Sequence, residues 1–117
     1  MKALLVEDNA LTRLTIRTLL EKQGHEVVGE VDDGDRADAA VAELKPDVVF
    51  LDLILPGKSG LEILSNIKDE YPKTKVIVIT AIVQGEMDKE LLAKGADAVV
   101  YKPFSYEEFK EALKKVA

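Results

Sequence analysis

Five side chains in this sequence could do chemistry together: the acidic pair Glu7-Asp8, then Asp52, Thr80 and Lys102. Three carboxylates in one crevice would repel one another and so call for a cation. Oxygen ligands without cysteine or a useful histidine select a hard ion, Mg²⁺ with Mn²⁺ as the alternative, over zinc. A carboxylate held beside such a metal can attack phosphorus and form an aspartyl phosphate. Phosphoryl transfer then needs positioning and neutralised charge on the equatorial oxygens. The metal would take one oxygen, Lys102 a second, and the Thr80 hydroxyl with nearby backbone N–H groups the third. Ala81 is small enough to leave the approach open, and Asp52 is the expected acceptor.

That chemistry requires elements that bring these residues to one place. Asp47-Val48-Val49-Phe50-Leu51-Asp52 runs apolar without alternation, as a strand buried on both faces of a parallel sheet does, and Pro56 and Gly57 turn the chain behind it. Ala3–Val6, Val76–Ile79 and Ala98–Tyr101 read as further strands. His25–Val31 is weakened by Gly29 and Glu30, which suggests the sheet edge. Between the strands lie helical patterns. The first, about Ala10–Gln23, is capped by Asn9 and stopped by Gly24, with a broad stripe of Leu11, Leu14, Ile16, Leu19 and Leu20. The second covers about Asp35–Leu44. The third begins near Ser59, with Gly60, Ile63, Leu64, Ile67 and Tyr71 on one face, and Tyr71-Pro72 closes it. Gly85–Lys94 and Ser105–Val116 complete the set.

Strands alternating with helices predict an α/β domain: a doubly wound, five-stranded parallel sheet of flavodoxin-like (βα)5 type, in the order 2-1-3-4-5. Ligands of such sheets sit beyond the carboxyl ends of the strands, at the switch point between the first and third. The first strand delivers Glu7 and Asp8 to that edge, the third Asp52, the fourth Thr80 and the fifth Lys102. The second strand delivers Asp32 and Asp33 to the rim, too far out to join. Singly, each residue has a structural explanation: Asp8 and Asn9 can cap a helix, Thr80 can end a strand, and Lys102 can precede a turn proline. Their joint placement on one edge is what argues for chemistry.

Composition narrows the classes. The 117 residues suit one domain, 1–117, and the 47% apolar content is that of a globular core rather than a disordered chain. Sixteen basic against 22 acidic residues leave a net charge of −6, which disfavours direct nucleic-acid binding. With no cysteine, disulfides and thiolate metal sites are excluded, and a reducing cytoplasm is the expected location. The short apolar run before Glu7 is neither a signal peptide nor a membrane span.

Taken in order, Glu7-Asp8, Asp52 with Pro56 and Gly60 behind it, Thr80-Ala81 and Lys102-Pro103-Phe104 resemble the response-regulator receiver domain of two-component signalling, over the whole chain. The resemblance implies a signalling switch of the chemotaxis type rather than an enzyme, one that catalyses only its own phosphorylation and slow dephosphorylation. Asp52 would take phosphate from a phosphohistidine on a sensor histidine kinase or phosphotransfer protein. Glu7, Asp8, Asp52 and the Ile54 backbone carbonyl would arrange Mg²⁺. Thr80 would bond the phosphoryl oxygen, Lys102 would pair with it, and the Lys102–Pro103 peptide would be cis. The responding face would be helix four, strand five and helix five, acting on a downstream protein target. His25 reads as structural.

Two departures from the family pattern carry their own expectations. Val99 stands where receivers often have Tyr or Phe, so the aromatic that follows Thr80 inward is missing, and output should rest on displacement of the loop after Thr80. Ile54 and Ile82 flank the phosphoryl group where polar side chains could orient an attacking water, so slow self-hydrolysis is expected. Ile54 also argues against a phosphatase of the haloacid-dehalogenase type, whose motif wants a second Asp there. A flavin or nucleotide binder would need a glycine-rich or hydroxyl-rich loop after the first strand, where Glu7-Asp8-Asn9-Ala10 would repel phosphate. A phosphorylation-independent adaptor would be expected to lose part of the site, and none is lost.

Overall fold

A computed structural model describes residues 1–81 and 87–117. Five parallel strands, β1 (Lys2–Val6), β2 (Glu26–Val31), β3 (Val48–Leu51), β4 (Lys75–Thr80) and β5 (Ala98–Tyr101), form one sheet in the order β2-β1-β3-β4-β5. Helices α1 (Ala10–Lys22), α2 (Ala37–Leu44), α3 (Gly60–Glu70), α4 (Met87–Ala93) and α5 (Tyr106–Val116) fill the crossovers and the end of the chain. The architecture is the expected flavodoxin-like one.

The apolar runs behave as continuous β-branched sequence should. Every residue of β3 is buried, as are Ala3–Val6 and Val76–Thr80, because helices cover both sides. On one face, Leu4, Val49, Leu51, Val76 and Val78 meet Val41 of α2, Ile63, Leu64 and Ile67 of α3, and Leu91 of α4. On the other, Leu5, Phe50, Ile77 and Ile79 meet Ile16 and Leu20 of α1 and Phe109 and Leu113 of α5. Phe50, Phe109 and Phe104 stack in sequence there, with centroids 5.5 and 5.8 Å apart. β2 is half-buried at the rim, in keeping with Gly29 and Glu30.

Two expectations need correction. The α1 stripe is narrower than its leucines suggest: Leu11 and Leu14 are 72% and 57% exposed. At about 100° per residue they lie almost half a turn from Ile16 and Leu20, and one helix presents only one face to a sheet. The second helix does not start at Asp35. Asp33 accepts from the Arg36 N–H at 3.1 Å and caps a 3-10 turn, Gly34–Arg36, before α2 begins. Tyr71 closes α3 as its C-cap and packs, half-buried, against the same core as Ile63, Leu64 and Ile67, as expected. Asn9 and Ser59 cap as expected, and Ser105 forms a capping box with Glu108. The start expected at Gly85 for the fourth helix lies outside the described residues, as does Ile82.

Candidate functional site

Thr80 is the last residue of β4, and Glu7, Asp8, Asp52 and Lys102 stand one or two residues past the ends of β1, β3 and β5. The Glu7 N–H donates to the Val31 carbonyl at 3.1 Å and the Asp52 N–H to the Val6 carbonyl at 3.0 Å, so the ladder runs one residue beyond β1 and β3. The Lys102 N–H donates to the Thr80 carbonyl at 2.8 Å, closing β5 onto β4 in the same way. The sheet's parallel register therefore aligns these residues along one edge.

Within that edge, Glu7, Asp52 and Thr80 are buried while Asp8 is exposed. The Lys102 ammonium donates to Glu7 Oε1 at 2.6 Å and to Asp52 Oδ2 at 2.9 Å. The second Asp52 oxygen, Oδ1, accepts from the Ile54 N–H at 3.2 Å, which sets the carboxylate plane between a lysine and a loop amide. One oxygen atom from each of Glu7, Asp8 and Asp52 lies within 4.8 Å of the others. Ala81 is exposed and lines, with Lys102, Pro103 and Leu11, a mostly apolar cleft of ≈ 480 Å³ beside the cluster. The Lys102–Pro103 peptide is cis, as the resemblance implied.

The electrostatics are lopsided. Burial, with Asp52 alongside, pushes the Glu7 carboxyl up to about 7, against the opposing pull of Lys102 and the Asn9 N–H. Burial would lower Lys102, but the Glu7 and Asp52 carboxylates outweigh it and hold the ammonium above its ordinary 10.5. Three acids against one lysine leave the site short of positive charge. An all-oxygen set with that deficit fits a hard divalent cation, with Glu7, Asp8 and Asp52 as its carboxylates.

Asp32, Asp33 and His25, expected to stay out of the site, do so. Asp32 and Asp33 pair with Arg36, Asp33 at 2.7 Å from its Nε. His25 Nδ1 lies 2.8 Å from the N-terminal amine, at the opposite edge of the sheet. Val99 is half-buried and packs against the core on the α2–α3 side. Ile54 presents its side chain to solvent, 61% exposed.

Sequence reasoning missed the residues that steady the acids. Arg13 donates from Nη1 to the Glu7 carbonyl at 2.7 Å and pairs through Nε with Glu30 of β2 at 3.3 Å. The Asn9 N–H donates to Glu7 Oε2 at 3.1 Å while its side chain accepts from the Thr12 N–H at 2.9 Å. Asn9 announced its capping role; nothing in the spacing of Arg13 announced a backbone carbonyl as its target.

Comparison with known proteins agrees with this geometry. The family model for the response regulator receiver domain matches residues 3–114. The chain is 35% identical over 116 residues to a chemotaxis protein CheY of Thermotoga maritima, covering 99% of this chain and 97% of the relative. It is 37% identical over 117 residues to a CheY of Listeria monocytogenes, covering 100% and 98%. Among solved structures it is similar to the BeF3-activated N-terminal receiver domain of Klebsiella pneumoniae RstA, at a TM-score of 0.89 and 27% identity, covering 97% and 96%. A LuxR-family DNA-binding response regulator from Staphylococcus aureus is as similar, at a TM-score of 0.89 and 31% identity, covering 98% and 97%.

Proposed function

Because the chain belongs to the response regulator receiver domain family, we propose that it is a phosphoacceptor switch whose nucleophile is Asp52. Receiver domains are signalling switches that work with histidine kinases and downstream targets. In this reading residues 1–117 are one receiver domain. An Asp52 oxygen forms a bond to phosphorus as the P–N bond of a partner's phosphohistidine breaks, and the imidazole leaves with the electron pair. The observation that carries the reading is the buried Asp52 carboxylate, oriented by the Ile54 N–H and Lys102, with an oxygen of Glu7 and of Asp8 within 4.8 Å of one of its own.

Mg²⁺, when bound, supplies the positive charge that lets an anionic carboxylate meet an anionic phosphoryl group. Glu7, Asp8 and Asp52 would hold it with the Ile54 carbonyl. Lys102 and the Thr80 hydroxyl receive the phosphoryl oxygens, and Ala81 keeps the approach open. The added charge of about −1.5 to −2 draws Lys102 and Thr80 inward. Their backbones share a rung, so both strand ends respond and pass the change to the α4–β5–α5 face and a protein target. With Val99 in place of a ring, the loop after Thr80 carries the message: beryllofluoride with Mg²⁺ should move NMR signals across residues 81–94. Ile54, exposed beside the carboxylate, shields the acyl phosphate from water, and Ile54→Asn should shorten its lifetime.

The deciding experiment is incubation with acetyl phosphate and Mg²⁺, followed by mass spectrometry of the native protein and Asp52→Ala. One phosphate adduct is expected on the native protein alone, and an adduct that survives the substitution refutes the assignment.

A further inference from the structure

The loop between β3 and α3, residues 53–59, carries the Ile54 N–H that orients Asp52. Its α3 end is fixed by the Gly60 N–H, which donates to the Leu53 carbonyl at 3.0 Å. Its outer part is fixed by a different region, the 3-10 turn after β2. There the Gly34 N–H donates to the Pro56 carbonyl at 2.8 Å, and the Lys58 N–H donates to Asp35 Oδ1 at 3.1 Å.

The two segments touch with no slack. A Cβ on Gly34 would lie 1.8 Å from the Lys58 carbonyl oxygen, a backbone atom that cannot rotate away. A Cβ on Gly57, whose φ of +77° already favours glycine, would lie 2.4 Å from Asp35 Oδ2. The Lys58 ammonium also pairs with Asp38 of α2, which accepts from Asn66 of α3 at 3.2 Å. Pro56–Lys58 is therefore seated on the turn as one body, and Ile54 hangs between that seat and the fixed end at Gly60.

We propose that Gly34 and Asp35 are positioning residues for phosphoryl acceptance, seating the loop after Asp52 so that the Ile54 N–H meets the Asp52 carboxylate. Neither residue touches the acidic cluster; both act through Pro56 and Lys58 on Ile54. The consequence for transfer rests on the phosphoacceptor reading, whereas the seating of Ile54 does not. Misplacement of a nucleophile by about 1 Å costs on the order of a hundredfold in rate, so a backbone seat this close is a sensitive control on the reaction.

The test uses the full chain as Asp35→Ala, Asp35→Asn and Gly34→Ala. Asparagine keeps the side-chain oxygen that accepts from the Lys58 N–H, so it is the rescue variant. Three quantities are measured: Ile54 amide exchange in EDTA, the phosphorylation rate at saturating acetyl phosphate with Mg²⁺, and the donor concentration giving half that rate. Asp35→Ala should speed Ile54 exchange and slow phosphorylation about threefold at an unchanged half-saturating concentration, the scale of one lost hydrogen bond. Asp35→Asn should match the native protein, and Gly34→Ala should slow the reaction by about thirtyfold or more. Should Gly34→Ala not fold, the Asp35 pair decides. The proposal is overturned if Asp35→Ala leaves Ile54 exchange and rate unchanged, or if Asp35→Asn is as impaired as Asp35→Ala. If the native protein takes no phosphate on Asp52, the phosphoacceptor reading falls instead. Ile54 exchange in the metal-free variants then still upholds or overturns the seat.

Discussion

Lys68 and Lys102 stand at opposite edges of the same sheet, with side chains only 16% and 21% exposed, and each grips a carboxylate. Lys68 bonds Asp97 Oδ2 and the Thr74 carbonyl, both at 2.8 Å, and the same Asp97 oxygen accepts from the Val76 N–H at 2.8 Å. One cation meets one anion, each has further partners, and the cluster staples α3 to the starts of β4 and β5. Lys102 meets two carboxylates, with Asp8 beside them, and the surplus negative charge is left standing. Burial of an ion pair therefore does not mark a functional centre in this fold. What sets the candidate site apart is an imbalance of charge that its own side chains leave uncorrected.

The comparison can be broken in several places. Lys102→Met should have the largest effect, costing about 3 kcal/mol of unfolding free energy in EDTA at pH 8, because two buried carboxylates lose their cation. Saturating Mg²⁺ should restore most of that loss, since any cation serves; a loss that Mg²⁺ leaves untouched would make Lys102 a staple like Lys68. Glu7→Gln probes the surplus directly. Glu7 holds its proton more tightly in the folded chain, at about 7, than in the unfolded one, near 4.5. The metal-free native protein should therefore lose stability through this group as pH rises from 4.5 to above 7, by at most about 3 kcal/mol. Urea titrations in EDTA should show that slope in the native protein and not in Glu7→Gln, which should also bind Mg²⁺ far more weakly.

Asp97→Ala should cost about 2 kcal/mol, by orphaning the Val76 N–H and stripping Lys68 of its anion, and the loss should be the same with and without Mg²⁺. The smallest effect belongs to His25. Burial, then the adjacent N-terminal amine, holds its pKa below the ordinary 6.5. That contribution to stability is present at higher pH and fades as pH falls through 6.5, and His25→Asn should flatten this shallow decline without touching Mg²⁺ affinity.

What was legible in the chain followed from local pattern. The run Val48–Leu51 declared a strand covered on both faces, β5 fell on Ala98–Tyr101 as expected, and Asn9, Ser59 and Ser105 marked helix starts through capping chemistry. The site residues were legible because each ends a strand, and strand ends of a parallel sheet share an edge. Less legible were features decided by partners distant in sequence. Leu11 and Leu14 share their residue type with the buried Leu20, and only the direction of the sheet separates them. Arg13 could have been any solvated helix cation, and Gly34 any turn glycine. Their roles depend on carbonyls of Glu7 and Pro56 brought in by the fold.

The Lys102–Glu7 contact joins residues 95 positions apart, with Asp52 close to midway between them. A contact of that span closes nearly the whole chain into one loop and lies beyond the reach of any shorter folded fragment. During synthesis the first three strands can pair, and the acceptor carboxylate can be in place, before Lys102 has emerged. The charged centre is complete only once β5 has been laid beside β4. On the phosphoacceptor reading, a chain made only as far as β4 holds the acceptor carboxylate without Lys102, its cation partner.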